Sequence, residues 1–241
     1  MEFTIEFLIV IFLCFFQSVF GVGLLLFGTP TFMMIGHDFV TTLSIILPVS
    51  ITISFLQIVY KNSLKKKQIV EFNLFCLPVL FIFLVISINS NFIDIKLCVS
   101  LLLIISSIIT LKKNQIILRK KYFLRYRRLC LIFIGSIHGF TNMGGGFLSI
   151  FSSLINGENK FITRGYIAYG YFIMGVVQYI TILIFGLNNP DFTRIYYLFL
   201  PLLIFLPSQK VFTNIDDLKF KEIVNYLAII YGIITLTTIL K

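Results

Sequence analysis

Charge is scarce in this chain, and acidic charge is scarcest. Only 12% of its 241 residues are charged. The ten acidic ones, Glu2, Glu6, Asp38, Glu71, Asp94, Glu158, Asp191, Asp216, Asp217 and Glu222, all fall at the ends of apolar runs or between them. So little polar material cannot cover a soluble domain of this length. A carboxylate in mid-membrane is the usual mark of a cation carrier or proton pump, and its lack argues against both. There is no Walker loop for ATP coupling and no nucleophile–base or metal-ligand constellation, so neither an enzyme nor a cofactor is expected. The four cysteines, Cys14, Cys76, Cys98 and Cys130, form no C-x-x-C pair and read as small buried hydrophobes. The start of the chain does not read as a cleavable signal peptide. Glu2 and Glu6 stand where its positive region would be, and no small-residue cleavage pattern follows.

What the chain has in abundance is apolar surface: 58% of its residues are hydrophobic and its mean hydropathy is +0.99. Its solvent must be mostly lipid, and an all-α integral membrane protein is expected. Runs long enough for a hydrocarbon core of about 30 Å occur at 41–60, 69–88, 95–111, 163–185, 195–206 with flanks, and 223–240. Two further stretches, 3–35 and 129–155, are too long for one straight span, and glycines interrupt each. The net charge of +10 does not point to nucleic acid, because the basic residues cluster in short loops between apolar runs. The expected partners are membrane lipid and a small solute, with a homo-oligomer left open.

The sequence repeats itself. Leu74-Phe75-Cys76-Leu77-Pro78 matches Tyr197-Leu198-Phe199-Leu200-Pro201, an offset of 123 residues. The same offset carries Gly21-Val22-Gly23 onto Gly144-Gly145-Gly146 and Asp94-Ile95-Lys96 onto Asp217-Leu218-Lys219. The chain therefore divides into a first repeat (1–113), a basic linker (114–128) and a second repeat (129–241), within a single membrane domain. Arg119, Lys120, Lys121, Arg125, Arg127 and Arg128 alternate with apolar residues in that linker, which suits an interfacial segment on the anionic cytoplasmic leaflet or a plain topology-fixing loop.

Two topologies compete. If each glycine-broken stretch crosses once, the halves are parallel, and Lys96, Lys160, Arg164, Lys210, Lys219 and Lys221 lie outside. If each is a re-entrant hairpin, the halves are inverted, and only Lys96, Arg194 and Lys241 lie outside. The positive-inside rule favours the inverted repeat, an arrangement in which broken helices meet near the midplane.

Irregular backbone at membrane depth survives only where protein or water satisfies it, so the two breaks are the natural candidate site. The second spans 139–146. Gly144, Gly145 and Gly146 would expose backbone N–H groups where Phe147 starts a new half-helix, a ready anion site, with Thr141 and Asn142 beside it. Half-helices of about 10 residues, about 15 Å each, are expected on either side. The first break, Gly21 and Gly23 continuing to Gly28-Thr29-Pro30, contributes Gln17 and Ser18. His138 lies within an apolar segment, where an ionisable group is a functional candidate; His37 reads as interfacial. Tyr169 and Gln178 on the span at 163–185 complete the expected binding set, Tyr166 and Gly170 lie near them, and Arg164 at that span's mouth could attract an anion. Glycines that only pack helices are the alternative. They would suit a membrane scaffold or assembly subunit.

Two four-segment halves, glycine-rich breaks in the first segment of each, Gly144-Gly145-Gly146-Phe147-Leu148 and the Leu-Pro pairs at Pro78 and Pro201 resemble the sulfite exporter TauE/SafE family of membrane transport proteins. Asn142-Met143-Gly144-Gly145-Gly146 matches that family's G-x-G-G-G in its glycines. Gly21-Val22-Gly23 departs from it, and no proline follows in 150–153. The resemblance implies secondary transport of sulfite, a sulfonate or a related anion across a bacterial cytoplasmic membrane by a multi-pass protein.

Overall fold

In a computed structural model, the described residues are 2–60, 64–89, 97–99, 101–102, 104–105, 120–156, 160–186, 194–214, 233 and 237, and every regular element among them is helical. The elements are α1 (Glu2–Phe20), α2 (Leu24–Met34), α3 (Phe39–Tyr60), α4 (Lys66–Phe75), α5 (Leu77–Asn89), α6 (Lys120–Arg125), α7 (Arg127–Thr141), α8 (Gly145–Asn156), α9 (Lys160–Phe185) and α10 (Leu200–Asn214). A 3-10 turn, Ile195–Phe199, leads into α10. The expected spans at 95–111 and 223–240, the linker up to 119 and the anchors at Asp94 and Asp217 lie wholly or largely outside the described residues.

Among the described residues, three stretches are long and apolar enough to cross a bilayer: Phe39–Tyr60, Lys66–Asn89 and Phe161–Phe185. At 1.5 Å per residue the shortest is about 33 Å long, matching a hydrocarbon core of about 30 Å. Their length and apolarity are those of helices that span a bilayer. Leu8, Leu74, Ile184, Leu203 and Leu206 are each at least 60% exposed, as side chains facing lipid should be.

α3 and α9 form the centre and run antiparallel. Val40 lies beside Gly186, Ile51 beside Gly175, and the Phe55 and Phe172 rings are 5.9 Å apart. α1 runs alongside α10 in the same direction, through Glu6 and Arg194, Phe7 and Tyr197, and Ser18 and Ser208. α7 runs in the same way along α4 and α5, starting from the Arg127–Glu71 ion pair. There Gly135 and Gly139, a G-x-x-x-G pair, sit against the backbone of Cys76 and Leu80 so closely that a Cβ would strike the carbonyl oxygens.

Both long first segments are broken. α1 ends at Gly21 (φ +76°) and α2 starts after Gly23 (φ +143°), conformations that residues with a Cβ rarely adopt. α7 ends at Asn142 (φ 62°), whose amide donates to the His138 carbonyl at 2.8 Å. After each break the chain doubles back. Gly28 of α2 returns to Leu13 of α1, and His37, beyond the end of α2, lies 2.8 Å from Glu6 near the start of α1. In the second pair, Phe147 meets Phe133, with ring centroids 5.4 Å apart.

The breaks are shorter than expected. Gly28, Thr29 and Pro30 lie inside α2, where burial on all sides overrides the helix-breaking tendency of proline. α7 continues through Gly139 and Phe140 to Thr141, and α8 starts at Gly145 instead of Phe147. Gly139 is helical because its lack of a side chain serves packing on α5. The two helices are 15 and 12 residues long, against the expected 10. Cys14 and Cys76 are buried, whereas Cys98 and Cys130 are only half-buried.

Candidate functional site

Each broken helix presents the carbonyls of its last turn to a glutamine on a central helix. Gln57 Nε2 on α3 donates to the carbonyls of Gln17 (3.0 Å) and Ser18 (3.2 Å). Gln178 Nε2 on α9 donates to the His138 carbonyl at 3.3 Å. The Gln17 and His138 carbonyls already accept from the Gly21 and Asn142 amides and take the glutamine as a second donor, whereas the Ser18 carbonyl gains side-chain donors in the last turn of α1. Gln57 and Gln178 are 121 residues apart, and so are Gln17 and His138.

That correspondence exposes a difference between the two breaks. In the first, Gln17 Nε2 donates to the hydroxyls of Ser50 (2.9 Å) and Ser54 (3.3 Å), and of the Gln17, Ser50, Ser54 and Gln57 side chains only Gln57 Oε1 finds no partner among the described residues. The residue 121 positions after Ser50 is Tyr171, and it faces His138 edge to face with ring centroids 5.9 Å apart. Both side chains are fully buried. Among the described residues, the Tyr171 hydroxyl and both ring nitrogens of His138 find no hydrogen-bond partner, and neither do Asn142 Oδ1 and Gln178 Oε1. Each such atom costs about 1–3 kcal/mol when left dry, so the cluster is built for something polar.

The N-terminus of α8 faces the same cluster. The Tyr171 hydroxyl occupies the space that a side chain at Gly145 would need, and Gly144 lies against His138 and the Ile134 carbonyl. The first amides of α8, on Gly145, Gly146 and Phe147, can have no partner within their own helix. Thr141 instead closes the turn: its hydroxyl donates to the Ile137 carbonyl (2.9 Å) and accepts from the Met143 amide (3.3 Å). Asn142 Nδ2 donates to the Thr29 hydroxyl of α2 at 2.9 Å, tying the second break to the helix that follows the first.

His138, Asn142, Gly144, Gly145 and Gln178 thus come together, with Thr141 and Gly146 at the same turn. Gln17, Ser18, Gly21 and Gly23 form a separate group, in which Ser18 Oγ meets Ser208 Oγ at 2.5 Å and the Phe16 ring covers Gly23. Tyr169 stands apart. Its hydroxyl donates to Asn73 Oδ1 on α4 at 2.9 Å, and its ring packs on Phe72. Tyr171 was not anticipated, although the offset linking Gln17 to His138 carries Ser50 onto it. His37, expected at the interface, pairs with Glu6, which also accepts from Arg194 at 2.8 Å.

Residues 6–235 match the family model described as Sulfite exporter TauE/SafE. No curated protein and no solved structure matches the chain.

Proposed function

The chain belongs to the sulfite exporter TauE/SafE family, and from that premise we propose that it is a secondary carrier of a small sulfur-containing or organic anion, bound at the break between α7 and α8. The observation that carries this reading is the buried, unpartnered cluster of His138, Tyr171, Asn142 and Gln178 at the N-terminus of α8. A neutral histidine and a tyrosine each offer one donor. The free amides of α8 and the positive end of its dipole add an environment that favours negative charge.

The inverted topology is part of the same proposal. Its support is the antiparallel pairing of α3 with α9, helices that occupy equivalent places in the two repeats and would run parallel if the halves did. The His37–Glu6 contact supports a re-entrant first segment, because both ends of that segment lie at one level. A bond from Asn142 to Thr29 joins the two broken segments, so that rocking one repeat against the other would remake it. The cell membrane is the expected location.

Flux into liposomes tests the reading. Purified protein should move sulfite or methanesulfonate down its gradient, and His138→Ala should slow that flux at least tenfold. A scaffold or assembly subunit would give no flux above empty liposomes, and that result would sink the proposal.

A further inference from the structure

Arg164 lies one turn into α9, at the far side of the first break. Its Nη2 donates to the Ser18 carbonyl at 2.8 Å, its guanidinium lies over the Phe212 ring at 4.1 Å, and its stem runs against Gly21, where an added Cβ would stand 3.3 Å from Cγ. Its Nε is enclosed by protein and has no hydrogen-bond partner among the described residues. No carboxylate pairs with it among the described residues. The carbonyl and the ring fix the orientation of the group, but neither carries a full negative charge. A cation taken out of water without a counter-charge is costly, by several kcal/mol in real proteins.

Arg164 also lines a cavity of about 450 Å³, together with Gln57, Tyr60, Gln209, Phe212 and Thr213. That volume is within the range of small-molecule sites, about 300–1,000 Å³. Arg164 is the one full charge among the described residues of the lining. The bond to Ser18 spends one of five N–H donors in a planar fork, a geometry that suits two oxygens of a single oxyanion.

We propose that this cavity is a second anion-binding site, separate from the α7–α8 break, and that it takes a small oxyanion bearing one negative charge, of the sulfonate or carboxylate kind. One cation balances a monoanion. A dianion would keep an uncompensated charge among Phe212, Tyr60 and the glutamine stems. The proposal concerns binding alone and does not depend on flux through the α7–α8 break.

Calorimetric titration of the full-length protein in detergent tests it, in a Tyr171→Phe background that weakens the other site. Methanesulfonate should bind, sulfate at least tenfold more weakly, and Arg164→Gln should weaken methanesulfonate at least tenfold, with Arg164→Lys in between. No methanesulfonate binding in the background, equal affinity in Arg164→Gln, or sulfate binding as tightly as methanesulfonate would each overturn the proposal. If Arg164→Gln does not fold, phenylglyoxal modification of Arg164 in the native chain decides instead, read by peptide mass spectrometry. Methanesulfonate should slow it several-fold relative to chloride at equal ionic strength, and equal rates would overturn the site. Flux in liposomes together with unchanged methanesulfonate binding in Arg164→Gln leaves the carrier reading standing and removes this one, and no flux together with Arg164-dependent binding does the reverse.

Discussion

The Tyr171 hydroxyl is fully buried, has no partner among the described residues and fills the space beside Gly145. A group held this way for a ligand costs stability in the empty protein. Tyr171→Phe should therefore raise the thermal midpoint of the ligand-free protein, by the equivalent of about 1 kcal/mol, while lowering anion affinity about tenfold, about 1.4 kcal/mol. Loss of both stability and affinity would make the hydroxyl structural. Asp38 is a different kind of residue, one whose role is entirely local. Burial tends to raise its pKa, but the Thr41 hydroxyl (2.5 Å) and amide (2.9 Å) both donate to it and hold it below the ordinary 3.8. It caps the start of α3. Because its folded pKa is the lower one, its contribution is complete above about pH 4 and is lost as pH falls through the folded value. Melting curves from pH 6 down to pH 3 should fall more steeply for wild type than for Asp38→Asn.

At the scale of elements, the glycines divide by task. Gly21 and Gly23 are needed for their backbone angles, one ending α1 and the other preceding α2, whereas Gly135 and Gly139 are helical and let α7 meet the α4–α5 backbone. Gly139→Val should destabilise the protein by about 1–3 kcal/mol through overpacking, and thermal unfolding in detergent will show it. An unchanged midpoint would mean that α7 can move off α5 at no cost. This division was half legible beforehand. Glycine-rich breaks in two apolar runs announced where helices stop, but not to the residue: Gly139 and Gly28 were read with the breaks and belong to helices. Sequence alone does not distinguish a glycine that frees the backbone from one that makes room for a neighbour.

At the scale of the whole molecule, the antiparallel contact of α3 with α9 is the feature on which the inverted reading turns. Val40→Cys with Gly186→Cys, in a background without the native cysteines, should form a disulfide readily, because a Cβ at Gly186 stands 3.0 Å from Val40 Cγ1. Parallel halves would separate those positions by a membrane thickness, and no cross-link would form.

Hydropathy, run length and the glycine and proline repeats were enough to determine a lipid-embedded helical protein and the two places where the chain must break, because these depend on local composition and on the thickness of a bilayer. Tertiary packing decided which side chains meet at a break. It brought Tyr171 to His138, sent Tyr169 to Asn73 on α4, and satisfied Gln17 with Ser50 and Ser54. Tyr169 and Tyr171, two residues apart on α9, face nearly opposite sides because a helix turns about 100° per residue. Only packing against other helices determines which of those directions holds the cluster.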